Sequence, residues 1–295
     1  MNRHTGEGQA VICVLLAASI WGLVGLATRF LSALGWSTML MAGTRNLLGA
    51  LVLGAYLLAV DRDALRIAPR DLWMFLCSGF VALGCFNLCY FTAQSLTSLS
   101  VAAVILYTAP FFVIFMSRLI FGESLTASKL AACVIAFVGC AFVTGFVGGG
   151  AVSVSPRVLA VGLGSAICYA LYSIFGRIAL ARYSVMTVTF YSLFIAGVSL
   201  CGIYLWRGEP WPTMNVASIA GALVLGVCFT ALPYVLYTRG LAAIAPGKAS
   251  VLAFAEPMVA TIAGVCVLGE AITPEALVGI GLIFAGILIL NRQSS

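Results

Sequence analysis

"LYTAPFFVIFMSRLIFGESLT", Leu106 to Thr126, sets a proline in the middle of a long apolar run and closes on Gly-Glu. The second half of the chain repeats the arrangement in "AFAEPMVATIAGVCVLGEAIT", Ala253 to Thr273. A shift of 147 positions lays Pro110 on Pro257, Gly122 on Gly269, Glu123 on Glu270, Thr126 on Thr273 and Leu130 on Leu277. Phe137 then meets Phe284, Gly139 meets Gly286 and Tyr90 meets Tyr237. One position breaks the match beside the proline, where Ala109 stands opposite Glu256.

The residues around these stretches say which solvent the chain lives in. It is 63% hydrophobic and 8% charged, against about 25% charged for a soluble domain. Ala10–Thr28 and Leu72–Ser117 carry no charge at all, and a spanning helix needs about 20 apolar residues. The chain therefore reads as an all-α, polytopic integral membrane protein. Its first apolar run is longer than the core of a signal peptide and continues into further spans, so it reads as a retained helix.

Polar breaks divide the sequence into ten expected helices, near 9–30, 37–60, 71–93, 98–119, 126–147, 157–179, 184–206, 216–239, 246–268 and 274–291. Five helices per repeat is an odd number, so the second copy must enter the membrane from the opposite face. Residues 1–150 are expected to form the first five-helix repeat and 151–295 the second, inverted one, together making one transport domain. Lys and Arg collect on one side of this arrangement, at Arg3, Arg62, Arg66, Arg70, Arg118, Lys129, Arg177, Arg182, Arg239, Lys248 and Arg292. Only Arg29, Arg157 and Arg207 fall on the other. The positive-inside bias then puts both termini in the cytoplasm. Inverted repeats with interrupted helices are the architecture of many secondary transporters.

With those residues in view, the sequence resembles the EamA-type branch of the drug/metabolite transporter superfamily. The resemblance rests on "YTAPFFVIFMSRLIFGESLT" and "FAEPMVATIAGVCVLGEAIT", each followed by a Gly-bearing last helix, and on the early "AASIWGLVGLATRF". It implies ten helices in two five-helix repeats in a bacterial inner membrane. It also implies export of amino acids or related metabolites. Relatives in the wider superfamily handle sugar phosphates, nucleotide sugars and cationic drugs, so other solutes stay open, nucleosides among them.

Several residues qualify for a transport path. Pro110 and Pro257 each remove a backbone donor and free the carbonyl four residues back, Leu106 and Ala253. Both lie near the midplane, where freed carbonyls are tolerated only against protein or a watered cavity. Glu256 is an acid at helix centre, costing about 2.5–3.5 kcal/mol to insert. It is a candidate for substrate contact or proton passage, or it simply satisfies backbone beside Pro257. Trp21, Gly22, Asn87, Tyr90, Tyr107, Tyr169, Tyr172, Tyr234 and Tyr237 are candidate cavity residues, because buried tyrosines offer both hydroxyls and aromatic faces. Ordinary helix packing is the alternative for each. Arg45 could snorkel outward or pair with Glu256 across the cavity; snorkelling or hydrogen bonding at a helix interface is the favoured expectation. The two Gly-Glu pairs read as turn and interface devices, with Thr126 and Thr273 as helix caps.

Other classes fit poorly. The ten cysteines form no CxxC pair and the only histidine is His4, so no metal site and no cofactor is expected. No GxxxxGK[ST] loop is present, which removes ATP hydrolysis by this chain. No paired acids or nucleophile–base set marks an enzyme, and no long loop marks a sensory protein. Net charge of +6 sits at span ends and is explained by topology, without nucleic acid. The expected partners are lipid, a small-molecule substrate and, if transport is proton-coupled, protons. The protein is expected to be a monomer or homodimer.

Overall fold

The computed structural model describes residues 3–147 and 154–292, with side chains from Gly6 onward. Arg3, His4 and the expected repeat boundary at 150/151 lie outside those described side chains and residues. Among the described residues every regular element is helical. The ten membrane helices are α1 (Gly6–Ala33), α2 (Thr38–Val60), α3 (Pro69–Leu96), α4 (Leu99–Phe121), α5 (Ala127–Val143), α6 (Pro156–Ala179), α7 (Val185–Arg207), α8 (Val216–Ala243), α9 (Pro246–Leu268) and α10 (Pro274–Arg292). Nine are long and apolar enough to cross a bilayer. The fifth has 17 residues, about 26 Å at 1.5 Å per residue, and ends earlier than the expected 126–147. Gly145 takes a left-handed turn there (φ 72°), and the Thr144 hydroxyl donates to the Cys140 carbonyl at 2.8 Å.

Short polar residues start these helices in the usual way. Ser37, Ser98, Thr126, Ser155, Ser184 and Asn215 each accept a first-turn N–H. The 147-residue shift is carried into these borders, with Thr38–Val60 falling on Val185–Arg207 and Leu99 on Pro246.

Not all the windings are α. Cys77–Cys85 in α3 and Val227–Ala231 in α8 are π-helical, and the second segment overlays part of the first under the same shift. Helix α4 breaks between Leu106 and Ala109, and α9 between Leu252 and Ala255. Helix α1 breaks at Leu23 without a proline, through i→i+3 bonds from Leu23 to Ile20 and from Leu26 to Leu23. Its counterpart α6 is unbroken.

Corresponding helices pack antiparallel. Gly43 of α2 lies against Cys201 of α7, while Gly54 lies against Phe190; the shift equates Gly43 with Phe190 and Gly54 with Cys201. The same reciprocity joins α5 to α10. A Cβ on Gly139 would stand 2.7 Å from the Gly279 carbonyl oxygen, and one on Gly286 would stand 2.8 Å from that of Ala132. Each contact is the image of the other under a pseudo-two-fold, which is the geometry of an inverted repeat. Without water to drive helices together, such close backbone approach supplies the packing.

Gly279→Val should therefore force α5 and α10 apart and destabilise the fold by about 1–3 kcal/mol. Thermal unfolding in detergent would show a lower midpoint, while Gly281→Ala, whose Cβ meets nothing within 4 Å, should leave it unchanged.

Candidate functional site

The helix breaks surround a cavity of about 640 Å³. Its mouth is formed by the ends of α1, α2, α3 and α4, at Ser32, Thr38, Gln94 and Leu99. Its depth is formed by Trp21, Tyr107, Pro110, Tyr169, Phe254 and Glu256. Tyr107 and Phe254, which the repeat equates, sit at the two breaks with ring centroids 6.3 Å apart. Phe86 stacks on Tyr90 at 5.7 Å and meets Tyr169 edge-on at 5.6 Å. The wall is thus mostly aromatic, with hydroxyl and amide groups set into it.

Of the residues picked from sequence, Trp21, Gly22, Asn87, Tyr90, Tyr107, Tyr169 and Glu256 line this cavity. Asn87 spends one amide hydrogen on the Leu83 carbonyl at 2.7 Å. Gly22 brings α1 against the backbone of α9, where a Cβ would stand 2.6 Å from the Glu256 carbonyl oxygen. Pro110 also lines the wall, whereas Pro257 is buried behind it. The Ala253 carbonyl is not left free as expected, because the turn at the break gives it the Glu256 N–H at 3.0 Å.

Tyr172, Tyr234 and Tyr237 do not line the cavity, contrary to the sequence-based expectation. They pack beneath Trp21, whose ring lies 5.1 Å from Tyr234 and 5.4 Å from Tyr237. Tyr172 lies 5.2 Å from Tyr234. The hydroxyls of two of them find partners inside the protein, Tyr172 with Thr238 at 2.9 Å and Tyr237 with Ser173 at 2.8 Å. The faces that carry them meet each other and Trp21. The result is an aromatic plug between the cavity and the opposite face.

Arg45 departs from the favoured expectation of snorkelling or a helix interface and takes the position of the other alternative: it lines the cavity, as does Glu256. The two are within electrostatic reach, yet no Arg45–Glu256 contact occurs among the ion pairs of the described residues. The Arg45 Nε is buried and has no hydrogen-bond partner. A lone arginine one-third of the way along a span gives no sequence signal of direction, so only the packed helices reveal it. Among the described residues, Arg29 at the mouth is the other charged residue in the wall, and it pairs with Glu270 at 2.9 Å.

The face opposite the mouth is sealed by polar contacts as well as by the plug. Glu123 pairs with Lys129 at 2.7 Å, Lys248 with Glu7 at 2.8 Å, and Asp71 with Arg182 at 2.5 Å. The Arg177 guanidinium donates to the Leu241 carbonyl. A cavity open on one face and closed on the other, between inverted halves, defines the class: a membrane transport protein of the two-repeat helical type.

The comparisons narrow this to a family. The EamA-like transporter family matches residues 8–145 and again 157–292, and the chain belongs to it. It is 28% identical over 282 residues to the threonine/homoserine exporter of Escherichia coli, covering 93% of this chain and 88% of that one. It is 25% identical over 291 residues to a probable terminal-alkyne amino-acid exporter of Streptantibioticus cattleyicolor, covering 95% of each. A solved crystal structure superposes with a TM-score of 0.83 at 20% identity, over 98% of this chain and 99% of the other; that likeness speaks to the fold.

Tyr172→Phe should orphan the buried Thr238 hydroxyl and cost about 1–3 kcal/mol. A lowered thermal midpoint with unchanged substrate KM is the expected result, whereas Tyr169→Phe, in the cavity wall, should change KM.

Proposed function

We propose that this protein is a secondary transporter that exports small zwitterionic metabolites, amino acids first among them. Alternating access around the central cavity would carry them across. One observation carries the substrate class: an arginine and a glutamate share the wall of one aromatic cavity without pairing to each other. A zwitterion fits that arrangement, its carboxylate on Arg45 and its ammonium on Glu256. Charge-assisted hydrogen bonds of this kind contribute about 1.5–3 kcal/mol each. The cavity is within the usual size range for small-molecule sites, about 300–1,000 Å³. A free phosphate would meet Glu256, and a simple cation would meet Arg45, so both are opposed by one wall charge. The names of the two relatives above point the same way.

In this reading the sealed, Lys- and Arg-rich face and both termini lie on the cytoplasmic side of a bacterial inner membrane, an orientation that the positive-inside bias supports. The open cavity then faces outward, the state in which an exporter releases its cargo. No step of this work is catalytic. Transport down a gradient and transport coupled to a proton through Glu256 are both compatible with the cavity.

Counterflow in proteoliposomes, against a panel of amino acids, nucleosides, sugar phosphates and organic cations, tests the substrate class. Amino acids should exchange, and their decarboxylated and deaminated analogues should not. Arg45→Gln and Glu256→Gln should each lower transport efficiency by roughly 10–100-fold. Exchange of another panel member in place of amino acids would overturn the substrate class. If Glu256→Gln kept full transport at every pH, the proton role would be dropped.

A further inference from the structure

The two Gly-Glu corners have the same backbone and opposite surroundings. Gly122 and Gly269 both end their helices in the left-handed region, each at φ 68°. The Glu123 N–H donates to the Ser117 carbonyl at 3.4 Å and the Glu270 N–H to the Gly264 carbonyl at 3.2 Å, equivalent bonds under the 147-residue shift. Thr126 and Thr273 then cap the following helices in the same way, both at 3.2 Å.

On the sealed face the Glu123 side chain is 8% exposed. Its carboxylate accepts from the Ser117 hydroxyl, from Lys129 Nζ at 2.7 Å and from the Gly247 backbone N–H at 3.1 Å. Gly247 lies in the first turn of α9, whose preceding residue Ala245 provides no side-chain cap. Glu123 therefore caps that helix from the end of the neighbouring α4, with the acid at the positive end of the helix dipole. That first turn, Pro246 through Lys248, is buried. On the open face the equivalent first turn belongs to α4, where Leu99 is 68% exposed and lines the mouth. Glu270 is 49% exposed there and holds Arg29 instead.

We infer that Glu123 and Glu270 are alternating latches, and that Glu270 closes the open mouth by seating its carboxylate on the Ser100 N–H at the start of α4. Ser100 is the repeat equivalent of Gly247, and interchange of the two halves' conformations brings Glu270 to it as Glu123 is brought to Gly247. Opening the sealed face requires Glu123 to leave α9. The two seats are then occupied in turn. The inference rests on the alternating-access reading above and adds the residues that hold each gate.

The test is cross-linking of the full chain in liposomes, with the products mapped by mass spectrometry. The E123C/G247C pair should cross-link in the resting protein, since the two positions touch in the open-mouth state. The S100C/E270C pair should cross-link above the level of either single variant and abolish transport until a reductant is added. S100C and E270C lie at an exposed mouth, so the fold should survive them. A yield no higher than that of the single variants, with and without a panel of amino acids, would overturn the latch. Cross-link yield does not depend on which solute moves, so a failed transport panel and a failed latch are separate results. Glu270→Gln should also slow counterflow; wild-type rates would count against the inference.

Discussion

Backbone polar groups have no water partner in hydrocarbon, so each must be satisfied within the protein or beside a cavity. The arrangement of this molecule follows from where that rule is strained. Breaks in α1, α4 and α9 and π-helical turns in α3 and α8 all occur in helices that surround or adjoin the central cavity. Helices α2, α5, α7 and α10, which pack pairwise across the pseudo-axis, are regular. At the breaks in α1, α4 and α9, irregular backbone and open space go together, while the regular α2 and α6 complete the wall with side chains.

The same constraint explains the charges. Opposite charges in a medium of low dielectric attract strongly, yet Arg45 and Glu256 stand apart in one wall. Fixing both on separate helices, α2 and α9, keeps them from closing on each other across the cavity. Aromatic rings fill the remaining surface, supplying faces that bind apolar or cationic groups without adding further fixed charge. On the sealed face the reverse holds, since acids and bases are paired within 3 Å and the Tyr172 and Tyr237 hydroxyls are spent on Thr238 and Ser173.

Much of the fold was legible in the sequence because its causes are local or periodic. Apolar length set the spans, the 147-residue shift paired the halves, and Pro110 and Pro257 marked two breaks. The break at Leu23 has no proline, and the π segments have no residue-level signature, so neither could be read. The cavity was legible only by depth and face. Tyr169 and Tyr172 differ by less than one turn, yet one meets open space and the other meets Tyr234. Which inward face finds a partner depends on the positions of three or four other helices. For Arg45 the sequence left a cavity position and snorkelling both open, for the same reason.

The reciprocal packing of α5 on α10, through Gly139 and Gly279, has a thermodynamic side. A contact on a two-fold axis is its own image, so exchanging the roles of the two halves leaves it intact and costs nothing in energy. Were the halves identical in sequence, the inward-open and outward-open forms would be degenerate, each half populated. Any preference must come from positions where the copies differ: Ala109 against Glu256, Ala276 against Lys129, Gly176 against Arg29. Such mismatches, of which these three change a charge, act as the molecule's set-point, and drift at such sites is a means by which the resting population can evolve while the scaffold stays fixed.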